Sequence, residues 1–102
     1  MITNILISAY CACSLCCGSH ADGITASGRK PVQGVTVAAS RSIPFGTRIH
    51  IEGIGWRTVQ DRMAKRFDKT RMDVYFKRHA DAKRFGIRKL KVKIHRKPVR
   101  RE

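Results

Sequence analysis

Hydrophobic and polar positions alternate with a period of two over most of this chain, and the alternation is interrupted by short clusters of Gly, Pro and Ser. Residues 3–10 alternate loosely around Ile5, Leu6 and Ile7 and predict a first strand. Residues 11–31, rich in Cys, Gly, Ser and Ala, have no period and read as a long structured loop of the kind that carries function. An apolar run at 35–39 precedes a turn in which Pro44 fixes φ and Gly46 can take a positive φ. Residues 47–52 then place Ile49 and Ile51 on one face and Arg48, His50 and Glu52 on the other; after Gly53-Ile54-Gly55, residues 56–61 alternate again, which predicts a β-hairpin. Residues 71–76 form a further strand candidate. Residues 77–85 suit a short helix, with Ala82 and Phe85 on one side and Gly86 as its C-terminal stop. In the last strand Leu90, Val92 and Ile94 face inward while Lys89, Lys91, Lys93 and His95 face out.

Six short strands and one helix predict a mainly β fold, a small closed barrel that leaves no sheet edge unpaired. With 102 residues there is room for one domain and one modest core. That domain is expected at 1–95, with a Cys-rich loop at 11–20, and residues 96–102 are expected to form a basic, disordered tail. Periodicity does not choose among barrel types.

Charge narrows the partner. Twenty-two Lys and Arg against seven Asp and Glu give +15, a field that attracts polyanions such as nucleic acid, anionic lipid or an acidic cell wall. Residues 77–102 hold much of the basic charge, and their pattern suits either a solvated strand face or a binding face. No segment approaches the ~20 apolar residues needed to cross a bilayer. The first ten residues lack a basic flank and a cleavage site, and Tyr10 stands where a lipoprotein site before Cys11 would need a small residue, so no export route is expected to be encoded here.

Acids are scarce enough to be considered singly. Glu52, Asp68, Asp81 and Glu102 fall on outer faces, turns or the terminus, whereas Asp61 and Asp73 lie in apolar strands. A carboxyl held there has its pKa pushed up by desolvation, as a general acid requires; pairing with Arg57, Arg62 or Arg71 is the structural alternative. Cys11, Cys13, Cys16 and Cys17 fall within seven residues and are followed by His20. The spacing admits a structural zinc site, one or two disulfides closing small loops, or buried thiols.

The ordered motifs Ser8-Ala9-Tyr10-Cys11, Asp22-Gly23-Ile24-Thr25-Ala26-Ser27-Gly28, Val35-Thr36-Val37-Ala38-Ala39 and Ile43-Pro44-Phe45-Gly46-Thr47, continued by Val59-Gln60-Asp61-Arg62, Arg71-Met72-Asp73-Val74-Tyr75-Phe76 and Ala82-Lys83-Arg84-Phe85-Gly86, resemble the bacterial Asp-Asp-Asp (3D) domain family over nearly the whole chain. That family is similar to the catalytic barrel of membrane-bound lytic transglycosylase A. The resemblance implies a six-stranded double-psi β-barrel in the cell envelope that acts on peptidoglycan glycan strands and anionic wall polymers, as a monomer and without a catalytic cofactor. It implies cleavage of the β-1,4 bond between N-acetylmuramic acid and N-acetylglucosamine with formation of a 1,6-anhydro ring, a lytic transglycosylase reaction with Asp73 as the acid and Asp61 beside it. Thr25, Ser27, Lys30, Ser40 and Tyr75 become candidate sugar-binding residues. The first family aspartate falls on Ser40, and the segment from Arg62 to Arg66 is more basic than the family pattern, which would place Arg62 or Arg66 against the acids. A non-catalytic wall-binding module and a nucleic-acid binder with an N-terminal zinc knuckle are the competing readings. The second is disfavoured because the aromatic residues fall on apolar faces and are not interleaved with the basic strip.

Overall fold

The computed structural model describes residues 2–11, 24–63, 65–67 and 70–95. Among these residues six strands follow one another as β1 (Ile2–Tyr10), β2 (Thr36–Ala39), β3 (Arg48–Ile51), β4 (Gly55–Arg62), β5 (Arg71–Tyr75) and β6 (Arg88–His95), with the helix α1 (His79–Phe85) between the last two and a 3₁₀ turn at Lys65–Phe67. The strands close in the order β1-β5-β2-β4-β3-β6. This is the mainly β closed six-stranded barrel with one short helix that the alternation predicts.

Pairing within the ring is mixed. β1 runs parallel to β5 and β2 parallel to β4, while the β3–β4 hairpin and the contacts of β6 with β1 and β3 are antiparallel. The inward residues of each strand meet on the axis: Ile7, Val37, Ile49, Ile51, Val59, Val74 and Val92 are fully buried, and Met72 and Ile43 complete the core. Ile49 and Ile51 point in and Arg48 and His50 point out, as the period requires. β2 departs from the rule, since all four of its residues are buried. Its outward Thr36 is covered by the preceding loop, where the Val32 N–H donates to Thr36 Oγ1 at 2.8 Å and that hydroxyl donates to Gln60 Oε1 at 2.7 Å.

The helix is shorter than its composition suggests. It starts at His79, because Arg78 is extended at φ −101° and ψ 133° and supplies no side-chain cap. It ends at Gly86, whose φ of 69° lets its N–H return to the Ala82 carbonyl. Residues 96–102 and most of the Cys-rich loop lie outside the described residues. Among the described residues no helix is long and apolar enough to cross a membrane.

Candidate active site

The parallel pairing of β1 with β5 sets Ser8 opposite Asp73 and Tyr10 opposite Tyr75. On the other side of β5, Ala38 of β2 is the partner of Asp73, and across β2 the same Ala38 is the partner of Asp61 on β4. A register shift between Val37 and Ala38 makes this possible. It makes Gln60 the extra residue and brings Asp61 opposite Ala38, a bulge that re-aims a side chain in the way bulges do beside functional sites. The result is a row, Ser8–Asp73–Ala38–Asp61, across four adjacent strands. With neighbouring strands ~4.8 Å apart, the two acidic positions stand about 10 Å apart along the row, with only a methyl group between them.

Each carboxyl is held differently. Asp61 Oδ2 accepts the Tyr10 hydroxyl at 2.9 Å, and its Oδ1 accepts the backbone N–H groups of Ala26 and Arg62, both at 2.9 Å. Ala26 is positioned by a compact loop in which the Thr25 N–H donates to the Arg29 carbonyl, the Gly28 N–H donates to the Thr25 carbonyl, and the Ser27 N–H ties the loop to the Gln60 carbonyl. Gly28 supplies the positive φ, 87°, that this turn needs. Among the described residues Asp73 has a single hydrogen-bonding side chain, the Ser8 hydroxyl, which donates to Oδ1. Burial pushes the Asp73 carboxyl above the ordinary carboxylate value; the Ser8 hydrogen bond and the Arg71 charge oppose this, and the charge of Asp61 adds to it.

Among the described residues neither acid forms an ion pair with the arginines near it in sequence, although the Arg71 charge acts on Asp73. Among the described residues the ion pair present is Arg84–Asp81, at 3.2 Å on the surface. Arg62 turns its guanidinium to the carbonyls of Ser40 (3.0 Å) and Ile43 (2.6 Å) and stacks on Phe45. Arg71 and Arg66 stack on Phe67, and Arg57 bonds the carbonyls of Ile54 and Trp56. The expectation that Arg62 or Arg66 lies against the acids therefore does not hold: Arg62 approaches Asp61 through its backbone N–H alone.

The residues suggested for sugar binding separate into two groups. Thr25 and Ser27 belong to the loop that holds Asp61, their hydroxyls 2.9 Å apart. Tyr75 is buried, its ring edge-on to Tyr10 at 5.5 Å, and it supports the tyrosine that reaches Asp61. Lys30 is exposed and bonds neither acid. Ser40 lies elsewhere, paired with Ser42 at 3.0 Å and lining a cavity of about 290 Å³ together with Ile43, Arg71 and Met72. A groove of about 310 Å³ is lined by Ser27, Arg29, Phe45, Thr58 and Gln60, the last of these next to Asp61 in sequence, and neither acid lines it. Cys11 is buried, with Sγ 3.5 Å from His79 Nδ1. Cys13, Cys16, Cys17 and His20, on which the zinc, disulfide and thiol expectations rest together with Cys11, lie outside the described residues.

Sequence reasoning singled out neither Ser8 nor Tyr10 as a functional residue. Both stand in the motif Ser8-Ala9-Tyr10-Cys11, two residues apart and so on one face of the first strand, and that spacing was the available signal.

No family model matches the chain. Over 94 residues it is 30% identical to a protein of Bacillus subtilis (strain 168) named "Putative cell wall shaping protein YabE", a match that takes in 91% of this chain and 23% of that protein. The chain thus spans about a quarter of the length of the curated relative it matches.

Proposed function

We propose that this barrel works on the bacterial cell wall, binding peptidoglycan glycan strands across the Ser8–Asp73–Ala38–Asp61 row and cleaving them as a lytic transglycosylase. The setting follows from the similarity to a protein named for cell wall shaping. The observation that carries the chemistry is Asp73, a largely desolvated carboxyl with raised pKa beside a second acid.

A raised pKa keeps Asp73 protonated at a pH where an ordinary aspartate has lost its proton. Protonated, it donates to the bridging oxygen as the bond from C1 of the muramyl sugar to that oxygen breaks, and the glucosaminyl unit leaves with a free 4-hydroxyl. The 6-hydroxyl of the same muramyl sugar attacks C1 and gives its proton to the Asp73 carboxylate, which restores the acid. Atoms balance without water, and one group serves as acid and then base. This differs from the paired-carboxylate hydrolases, in which a water enters the product. Burial is the main cause that raises the Asp73 pKa, and Asp61, fixed by three donors, adds to it; in this reading Asp61 also faces the positive charge that grows on the sugar ring.

A wall-binding module without turnover is the second reading. What favours it is Ser40, which stands at the position of the first family aspartate and is not among the hydrogen-bond partners of Asp61 or Asp73. Incubation with purified peptidoglycan followed by mass analysis of the soluble products separates the two. Release of 1,6-anhydro-muropeptides is expected, and bound protein with no anhydro product would leave the binding module.

A further inference from the structure

Across the ring from the acids, the barrel wall carries a second surface of different chemistry. In the closed order, β3 lies three strands from β5 in either direction, so it is diametrically opposite the strand that holds Asp73. Trp56, 42% exposed, sits on that outer wall as the cross-strand partner of His50. The His50 and His95 rings meet its ring edge-on at 5.1 and 4.7 Å, and the Arg48 guanidinium carbon lies 5.1 Å from its centroid. On β6, Lys93 is the partner of His50, and Lys91 and Lys93 are exposed beside it. Among the described residues none of these cations is ion-paired, and Glu52, at the end of the face, accepts the Lys91 backbone N–H at 3.2 Å.

An indole braced by two imidazoles and a guanidinium is a fixed apolar platform, and around it stand Arg48, Lys91 and Lys93, which form no ion pair among the described residues, with Glu52 as the acid at the end of the face. We propose that this face binds a linear, flexible polyanion in which saturated polyol units are joined through phosphates, with the carbon skeleton against Trp56 and the phosphates on Arg48, Lys91 and Lys93. The choice of polymer rests on the cell-wall reading; the surface itself does not depend on the cleavage chemistry. Two features favour such a chain over nucleic acid. The face offers one aromatic platform, where single-stranded nucleic acid is held by a series of them. Among the described residues it is also the convex wall of a barrel, without a protruding helix or two-stranded ribbon to enter a duplex groove. Its place opposite Asp73 would let an anionic polymer anchor the barrel while the glycan groove stays free.

Trp56 is the only tryptophan of the chain, so its fluorescence reports on this face directly. The full chain is titrated with poly(glycerol phosphate), and a saturable change in emission is expected that shrinks with added salt. Exchanging Lys91→Gln and Lys93→Gln together should weaken binding by about tenfold or more, since each neutralised phosphate contributes a counter-ion release. Lys77→Gln with Lys83→Gln, an equal loss of charge elsewhere on the surface, should leave the affinity close to the parent's. No emission change, equal weakening by both pairs, or tighter binding of oligothymidylate or duplex DNA than of the polymer would overturn the proposal. An Asp73→Asn chain in parallel keeps the two readings apart: it should retain the emission change and lose anhydro-muropeptide release. A parent chain that titrates with the polymer but cleaves no glycan would retire the enzyme and leave this surface standing.

Discussion

Among the described residues the Asp73 carboxyl has one hydrogen-bond donor, Ser8, while Asp61 has three, and the roles proposed for them rest on this difference. Exchanging Asp73 for Asn preserves shape and the bond from Ser8 but removes the titrating proton. Release of anhydro-muropeptides should fall by ~10²–10⁴, the usual worth of general acid catalysis, with wall binding retained in a pull-down. The same variant tests the burial. The ordinary value is 3.8 and the folded value is higher, so between the two the folded chain binds more protons than the unfolded one, and stability falls as pH rises through that window. Melting curves should therefore show parent and Asp73→Asn drawing apart as pH climbs from below 3.8, with the variant the more stable at neutral pH; a constant difference would argue against desolvation. Tyr10→Phe, which deletes the hydroxyl on Asp61, is expected to cost about 0.5–1.5 kcal/mol in denaturant unfolding and to lower cleavage. At this scale the acids were legible, because a carboxylate within an apolar strand stands out in so basic a chain. Their partners were not: Ser8 and Tyr10 look ordinary until β1 is known to lie beside β5.

Strands and the hairpin could be read from alternation because their side chains divide cleanly between core and solvent, as Ile49 and Ile51 do against Arg48 and His50. Alternation says nothing about which strands pair in parallel across long intervals, and it cannot register a bulge. Both determine the site here, for without the shift at Val37 and Ala38 the Ala38 partner would be Gln60 in place of Asp61. The helix began two residues later than its composition allowed, since nothing before His79 caps it. Ile7 tests the element that ties the site together, being fully buried on β1 one residue before Ser8. Replacing it with Ala should cost about 2–5 kcal/mol in denaturant unfolding. If the site depends on the seating of β1, cleavage should weaken even in the folded fraction.

At the scale of the whole molecule, +15 on 102 residues makes attachment to an anionic wall sensitive to salt. Co-sedimentation with intact wall should drop steeply above ~0.15 M salt, where the Debye length falls below ~8 Å. Binding that persists unchanged in high salt would point to sugar contacts in the groove as the main source of affinity. Composition gives the sign of this field, and the closed ring adds that Arg48, Lys91 and Lys93 stand on strands across the barrel from Asp73.

The pairing of β1 with β5 also sets a timetable for the nascent chain. Ser8 and Asp73 are 65 residues apart in sequence, and within the sheet β1 pairs with β5 and β6, both made later. At ~5–20 residues per second, a ribosome takes about 3–13 s to supply that partner after β1 is made. Throughout that interval Ile5, Leu6 and Ile7 lie on a strand with both edges open, the condition in which chains join to one another. The parallel contact that assembles the site is thus also the step at which a holdase chaperone would have most to protect.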